Sequence, residues 1–176
     1  MVEGPAADEI TTRYGRFDPA RYAQNLTVSP DMETDAHLAR SLYRQATGTE
    51  VDGVLVVDPF GLAALLALTG PVDVEGIDAP VTAASAPRLL LHDQYLDPGA
   101  DRSERKDRLE DVADATFTAL TERDLPGPTE VGQALATVVE ERRLLFFPFL
   151  AAEDAVFTDL GTTGRFAPDP AGDHLS

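Results

Sequence analysis

Residues 50–71 read EVDGVLVVDPFGLAALLALTGP, and their apolar pattern changes period partway along. Val51, Gly53, Val54, Leu55, Val56 and Val57 form an unbroken apolar run, too short for a helix and rich in β-branched side chains. Such a run predicts a strand buried on both faces, with residues 54–57 as a central strand flanked by helices. Asp58 is placed to cap a following helix, and Pro59 falls at a first helical position, where a missing N–H costs nothing. Leu62, Leu65, Leu66 and Thr69 then recur at helical spacing until Gly70 and Pro71 stop the helix. The run is a β-α unit of a layered α/β domain, and none of its residues by itself specifies a reaction.

Other segments are read in the same way. Residues 1–13 form a partly disordered start, and residues 16–34 are rich in Pro, Asn, Ser and Asp, which predicts a loop whose SPDMETD end suits capping. A helix is expected from near Asp35, with Leu38, Leu42, Tyr43 and Ala46 as its apolar stripe and Gly48 as its stop. The pieces VDV and PVT, separated by Glu75-Gly76-Ile77-Asp78, read as a small hairpin or edge excursion. Thr82 or Ser85 caps a short helix through Leu89, Leu90 and Leu91 that tolerates Pro87 only in its first turn. A turn at residues 97–100 precedes the clearest helix, residues 105–122, whose predicted buried stripe is Leu109, Val112, Ala113, Phe117 and Leu120. Thr129 is expected to cap a further helix on Val131, Leu135, Val138 and Val139. RRLLFFPF reads as a second strand, residues 151–160 as a last helix, and residues 167–176 as a disordered tail.

The expected fold class is therefore α/β: a layered, few-stranded sheet with helices on both faces, helix-rich, in one domain over residues 14–166. Two strands and short extended pieces fall below the five or six strands usual in a sheet. An incomplete domain is expected, with an unpaired sheet edge through which copies self-associate.

Composition narrows the function. The 176 residues are 43% hydrophobic and 26% charged, ordinary globular usage. A net charge of −17 argues against nucleic acid and against an anionic membrane surface, because both are bound through clustered Lys and Arg. The cations are almost all Arg, with Lys106 the single lysine. There is no cysteine, and His37, His92 and His174 lack metal-ligand spacing, so no familiar zinc site is expected. The opening MVEGPAADEI has neither the basic nor the apolar region of a signal peptide, and the longest apolar run, nine residues over 144–152, contains Pro148. The chain thus reads as soluble, with no membrane segment and no export signal.

Taken in order, NLTVSPDMETDAHLARSLY, TGTEVDGVLVVDPFGLAALLALTGPVDV, the turn and helix from Tyr95 to Arg108, VVEERRLLFF and AAEDAVFTDLGTTGRF resemble the bacterial family known as domain of unknown function 4012, over about residues 14–166. The resemblance implies a larger, membrane-anchored parent acting outside the cytoplasm. It also implies an upstream part with a Glu-x-Arg and Gly-Gly-rich motif and a β-rich part downstream. This chain then corresponds to the middle of that domain, cut at both ends. More remotely, it is similar to the LytR-CpsA-Psr enzymes, which transfer lipid-linked glycopolymers to the cell wall with magnesium. Gly70-Pro71-Val72-Asp73-Val74 stands where their Gly-Gly-Val-Asp-Val edge would be, and Arg105 and Arg108 stand where two arginines of their Asp-x-x-Arg-x-x-Arg-Gln pattern would be. The departures are Arg102 for that Asp, Leu109 for that Gln, and His92-Asp93-Gln94-Tyr95 for an Arg-x-Arg pair. The magnesium-holding aspartates of those enzymes belong to the upstream part.

Arg102, Arg105 and Arg108 recur every three residues, which aligns them along one side of a first helical turn. Guanidinium forks so placed suit a phosphate, with Tyr95 as a hydrogen-bond donor and Asp58 at the carboxyl end of the strand, where ligands of open α/β sheets gather. A commoner cause exists for each. Asp101, Glu104, Asp107 and Glu110 interleave the arginines as in an ordinary solvated face, Asp58 is explained by capping, and Tyr95 by closing a helix onto the core. Asp93, Asp97, Asp101 and Asp107 lack the spacing and central Gly of a calcium loop. No G-x-S-x-G elbow, G-x-G-x-x-G or Walker loop occurs. The expected function is a non-catalytic fragment of a cell-envelope-associated protein, with no cofactor. The alternatives are a LytR-CpsA-Psr-like phosphotransferase, which alone would require magnesium, and a partner-binding module.

Overall fold

The structure, a computed structural model, describes residues 12–17, 25–27, 29–93 and 102–165, and in residues 102–106 the backbone alone. Expectations for residues 1–11, for Tyr95, for the turn at residues 97–100 and for the tail lie outside the described residues. The chain divides into two compact units, one built from the residues up to Val56 together with those from Leu145 onward, the other from Val57–Leu144.

In the first unit, Asp31 opens helix α1 (Met32–Thr47) by accepting hydrogen bonds from the Thr34 N–H at 3.1 Å and the Thr34 hydroxyl at 2.9 Å. The helix therefore begins ahead of the expected Asp35, which is itself buried in the first turn. Gly48 ends it at φ 75°, donating to the Arg44 carbonyl at 2.8 Å. Its buried face is Met32, Thr34, Asp35, Ala36 and Leu38. The expected stripe fades beyond Leu38, since Leu42 is half-buried and Tyr43 and Ala46 are exposed.

Strands β1 (Gly53–Val57) and β2 (Leu144–Pro148) form a two-stranded antiparallel sheet. The Phe149 N–H donates to the Asp52 carbonyl at 2.7 Å and the Asp58 N–H to the Arg143 carbonyl at 3.0 Å, a register that sets Val54 opposite Phe147 and Val56 opposite Leu145. Val54, Val56, Leu145 and Phe149 pack against the buried Met32, Ala36 and Phe147. The strand is where the apolar run placed it, but it is not a central strand. All five residues of β1 are half-buried, because a sheet of two described strands gives each strand a single neighbour. The fold is a helix-rich α/β fold with this small sheet. The same unit also holds a 3-10 turn, Gly15–Phe17, and helix α6 (Ala151–Asp159).

The second unit is centred on α2 (Pro59–Thr69), whose Leu62, Leu65, Leu66 and Thr69 are buried as predicted. Gly61 is needed for close approach, since a Cβ there would run into the Arg143 carbonyl oxygen and sit 2.7 Å from Val57 Cγ2. Beyond Gly70, Val72 and Val81 form one antiparallel bridge with bonds of 3.0 and 2.8 Å, the single rung of the expected hairpin. Thr82 and Ser85 cap reciprocally: Ser85 Oγ accepts from the Thr82 N–H at 2.9 Å and Thr82 Oγ1 from the Ser85 N–H at 3.1 Å. They open the short α3 (Ala86–Arg88), which passes into a π-helical turn, Leu89–Asp93.

Helix α4 (Arg102–Glu122) turns inward a face that keeps Val112 of the predicted stripe but is rotated away from Leu109, Ala113 and Phe117. Val112, Thr116 and Ala119 are buried, while Leu109 is 46% and Phe117 57% exposed, Ala113 is exposed and Leu120 half-buried. The physical reason is the neighbour: α4 packs on α2, and Ala115, Thr116 and Ala119 allow a close approach that Leu109 and Phe117 would prevent. The buried Thr116 hydroxyl is satisfied by the Val112 carbonyl at 2.8 Å. Arg123 then donates from Nη1 to the carbonyls of Thr69 at 2.8 Å and Pro71 at 2.9 Å, closing the C-terminal end of α2. Helix α5 (Pro128–Glu140) also packs on α2; Gly127, not Thr129, is its N-cap, with Pro128 as first residue.

Leu66→Ala is expected to cost about 2–5 kcal/mol and Gly61→Ala about 1–3 kcal/mol, the first by a cavity and the second by overpacking. Leu55→Ala, on a half-buried strand, is expected to cost less than Leu66→Ala. Urea unfolding of the three variants orders them, and a Gly61→Ala variant as stable as the parent removes the close-approach argument.

Candidate functional site

At the end of β1, Asp58 holds several partners at once. Its Oδ1 accepts from the Phe60 and Gly61 N–H groups at 2.9 and 2.8 Å, and its Oδ2 lies 2.8 Å from Arg143 Nη1. Arg143 also pairs with Glu141 and places its guanidinium carbon 4.5 Å from the Phe60 ring centroid. The hydrogen bonds that Arg143 donates to Glu141 and then to Asp58 raise its pKa above the ordinary value. Asp58, singled out as a ligand-side residue, is thus occupied on both carboxylate oxygens by the fold itself.

A second constellation surrounds a cavity of about 310 Å³ in the same unit. Ile77, Ala79, Pro80, Val81 and Leu89 form its apolar wall, and Ser85, Arg88 and Asp93 supply its polar groups. Asp93 Oδ1 lies 3.1 Å from Arg88 Nε and 3.0 Å from His92 Nδ1. The π turn makes this cluster, because its i→i+5 register brings residue 93 back over residue 88. The hydrogen bonds from His92 and then Arg88 hold the Asp93 carboxyl below its ordinary pKa. The volume lies at the small end of ligand pockets, and the arrangement suits an apolar group seated on Ile77 and Leu89 with a polar end at the Arg88–Asp93 pair. The pair is solvent-exposed, so water screens it.

The predicted arginine row lies on α4. The side chains of Arg102 and Arg105 lie outside the described residues, as does Tyr95, while Arg108 is half-buried on the side that carries Val112. Of the five predicted residues, the described contacts join Asp58 to Arg143 and not to the row. Arg88, His92 and Arg143 were not among the predicted site residues. A spacing of five, as in Arg88 and Asp93, is silent under helical or strand periodicity, and the Asp58–Arg143 pair spans 85 positions. Among the described residues no three His, Asp or Glu side chains are grouped to hold a metal ion, and no helix is long and apolar enough to cross a membrane.

The first unit has its own charged centre. Arg165 meets Glu33 through Nε at 2.8 Å and the Thr158 hydroxyl through Nη1 at 2.9 Å, and its guanidinium carbon is 4.9 Å from the Phe147 ring centroid. Its Nη1 also lies 2.8 Å from Asp154 Oδ1, an ion pair without hydrogen-bond alignment, since that buried oxygen has no hydrogen-bond partner. Asp35 is 5% exposed, and burial raises its pKa from 3.8 to about 7; the Ser29 N–H opposes this rise and the Asp31 charge adds to it.

Asp58→Ala is expected to cost about 0.5–2 kcal/mol for the lost cap, and a calorimetric melt that matches the parent would refute the capping role. Asp35 has the opposite sign from a paired carboxylate. Between pH 3.8 and about 7 the unfolded chain loses the proton that the folded chain keeps, so this group lowers stability as pH rises through that window and costs most above it. Asp35→Asn is expected to flatten the decline and to raise the melting temperature at pH 8; an unchanged slope between pH 4 and 7 would count against it.

No curated protein and no solved structure matches the chain. The family model described as Protein of unknown function (DUF4012) matches residues 2–95, more than half of the sequence, and the chain belongs to this family.

Proposed function

We propose that the chain is a non-catalytic, partner-binding part of a cell-envelope-associated protein. The observation that carries the reading is the outward row of α4, where Leu109 and Phe117 are exposed while Val112, Thr116 and Ala119 fill the core behind them. A large apolar side chain left in water forgoes roughly 1.5–3 kcal/mol of burial, and an exposed apolar row favours docking. The envelope part of the reading is supported by family membership, since the resemblance implies a membrane-anchored parent outside the cytoplasm. The non-catalytic part is supported by Asp58, whose carboxylate is taken up by the α2 N–H groups and Arg143.

A photo-crosslinking residue at position 117, introduced in the parent protein in its own host, is expected to label a partner in the envelope fraction. The same residue at Thr118, exposed but off the row, is expected to label far less. Equal labelling, or labelling confined to the cytosol, overturns the reading. With magnesium and a polyprenyl pyrophosphate analogue the chain is expected to show no turnover. Turnover that disappears in the Arg105→Ala, Arg108→Ala variant would establish the phosphotransferase instead.

A further inference from the structure

Resting on that partner-binding reading, we infer that the outward row of α4 docks a cationic amphipathic helix of a partner protein. At 100° per residue, Leu109, Ala113 and Phe117 lie four residues apart and occupy one side of the helix over about 12 Å, and Leu120 extends the same side. Glu110 and Asp114 come next around the helix from Phe117, with Asp107 and Asp111 beyond them, and all four are exposed. From Leu109 to Glu122 the helix contains no Lys or Arg. The row is therefore apolar with an acidic border, while the opposite border turns into the core at Val112 and Thr116.

The charge selects the occupant. An anionic bilayer or a nucleic acid would meet Glu110 and Asp114 with like charge. So would a second copy of a chain with net charge −17, because docking would bring two acidic borders together. A helix with Leu or Val at i, i+4 and i+8 and Lys or Arg beside them fits both features: its apolar stripe covers Leu109 and Phe117, and its cations meet the carboxylates at the rim. The rim pairs are solvated, so they steer and orient while the row supplies the buried area.

The test uses the full chain and three labelled synthetic helices of about four turns with one Leu stripe, flanked by Lys, Glu or Gln, read by fluorescence anisotropy. The Leu/Lys helix is expected to bind at least about tenfold more tightly than the Leu/Glu helix, with affinity falling as salt rises. Leu109→Ser with Phe117→Ser is expected to weaken it about tenfold or more while the melt is retained. Glu110→Gln with Asp114→Asn is expected to weaken it less and to reduce its salt dependence. Binding of the Leu/Lys helix that is indifferent to the Ser variant is diffuse attraction to an acidic protein and overturns the inference. Tighter binding of the Leu/Gln or Leu/Glu helix, lost in the Ser variant, overturns the cationic assignment and leaves the partner-binding reading standing. A dimer that the Ser variant dissolves puts a second copy on the row and also overturns it. Silence from all three helices overturns the inference, and labelling at position 117 then decides the partner-binding reading separately.

Discussion

The Asp58–Arg143 contact organises the unit built on α2. The Asp58 N–H bonds the Arg143 carbonyl, Oδ2 pairs with the Arg143 guanidinium, and Oδ1 caps the first turn of α2. The first turn of α2 is thereby tied to Arg143. Gly61 belongs to the same arrangement, because the Arg143 carbonyl occupies the space where a side chain would stand. With α2 so placed, α4 and α5 pack against it, and Arg123 secures its other end through the Thr69 and Pro71 carbonyls. A group so committed is poorly suited to act on a substrate, which is why the capping explanation of Asp58 outweighs its position at the carboxyl end of a strand.

What was legible in the sequence has local causes. Asp58 with Pro59, Gly48, Gly70 and the Thr82–Ser85 cap act over four residues or fewer, so reading the residue is nearly reading the structure. The buried leucines of α2 were legible as well, because Leu62, Leu65 and Leu66 recur with Thr69 at helical spacing on one face. Helix α4 differs: it has both a large-residue row and a small-residue row, and periodicity alone favours the larger. Beside the expected Val112, the approach of α2 decides for Thr116 and Ala119, a decision made by another element 40 to 60 positions away in the chain. The strand errs in the same direction. An apolar run at residues 54–57 predicts burial on both faces, yet how much of each face is covered depends on how many strands pair beside it.

The cavity cluster eluded the sequence for a different reason. His92 and Asp93 were read with Gln94 and Tyr95 as a departure from an Arg-x-Arg pair, and Arg88 was not singled out. Only a turn with π register brings positions 88 and 93 together, and such turns arise from local packing rather than from any residue pattern. The predicted row of Arg102, Arg105 and Arg108 was the reverse case, a pattern with a plain chemical meaning and an equally plain alternative. Arg108 is drawn to the side of α4 that carries Val112, so a shared spacing of three did not make it part of a uniformly solvated face.

Charge and apolar surface act together on α4. An exposed row of Leu109 and Phe117 on a neutral helix would invite association with any apolar surface, copies of the chain included. Glu110 and Asp114 beside it, on a chain of net charge −17, set an electrostatic cost on like-charged partners and leave the apolar gain to those that bring cations. The cost falls with salt and the apolar gain does not, so selectivity is greatest where ionic strength is low. The same carboxylates repel a phosphate approaching that side of α4. An acidic border thus opposes anion recognition and favours cation-flanked docking on one helix.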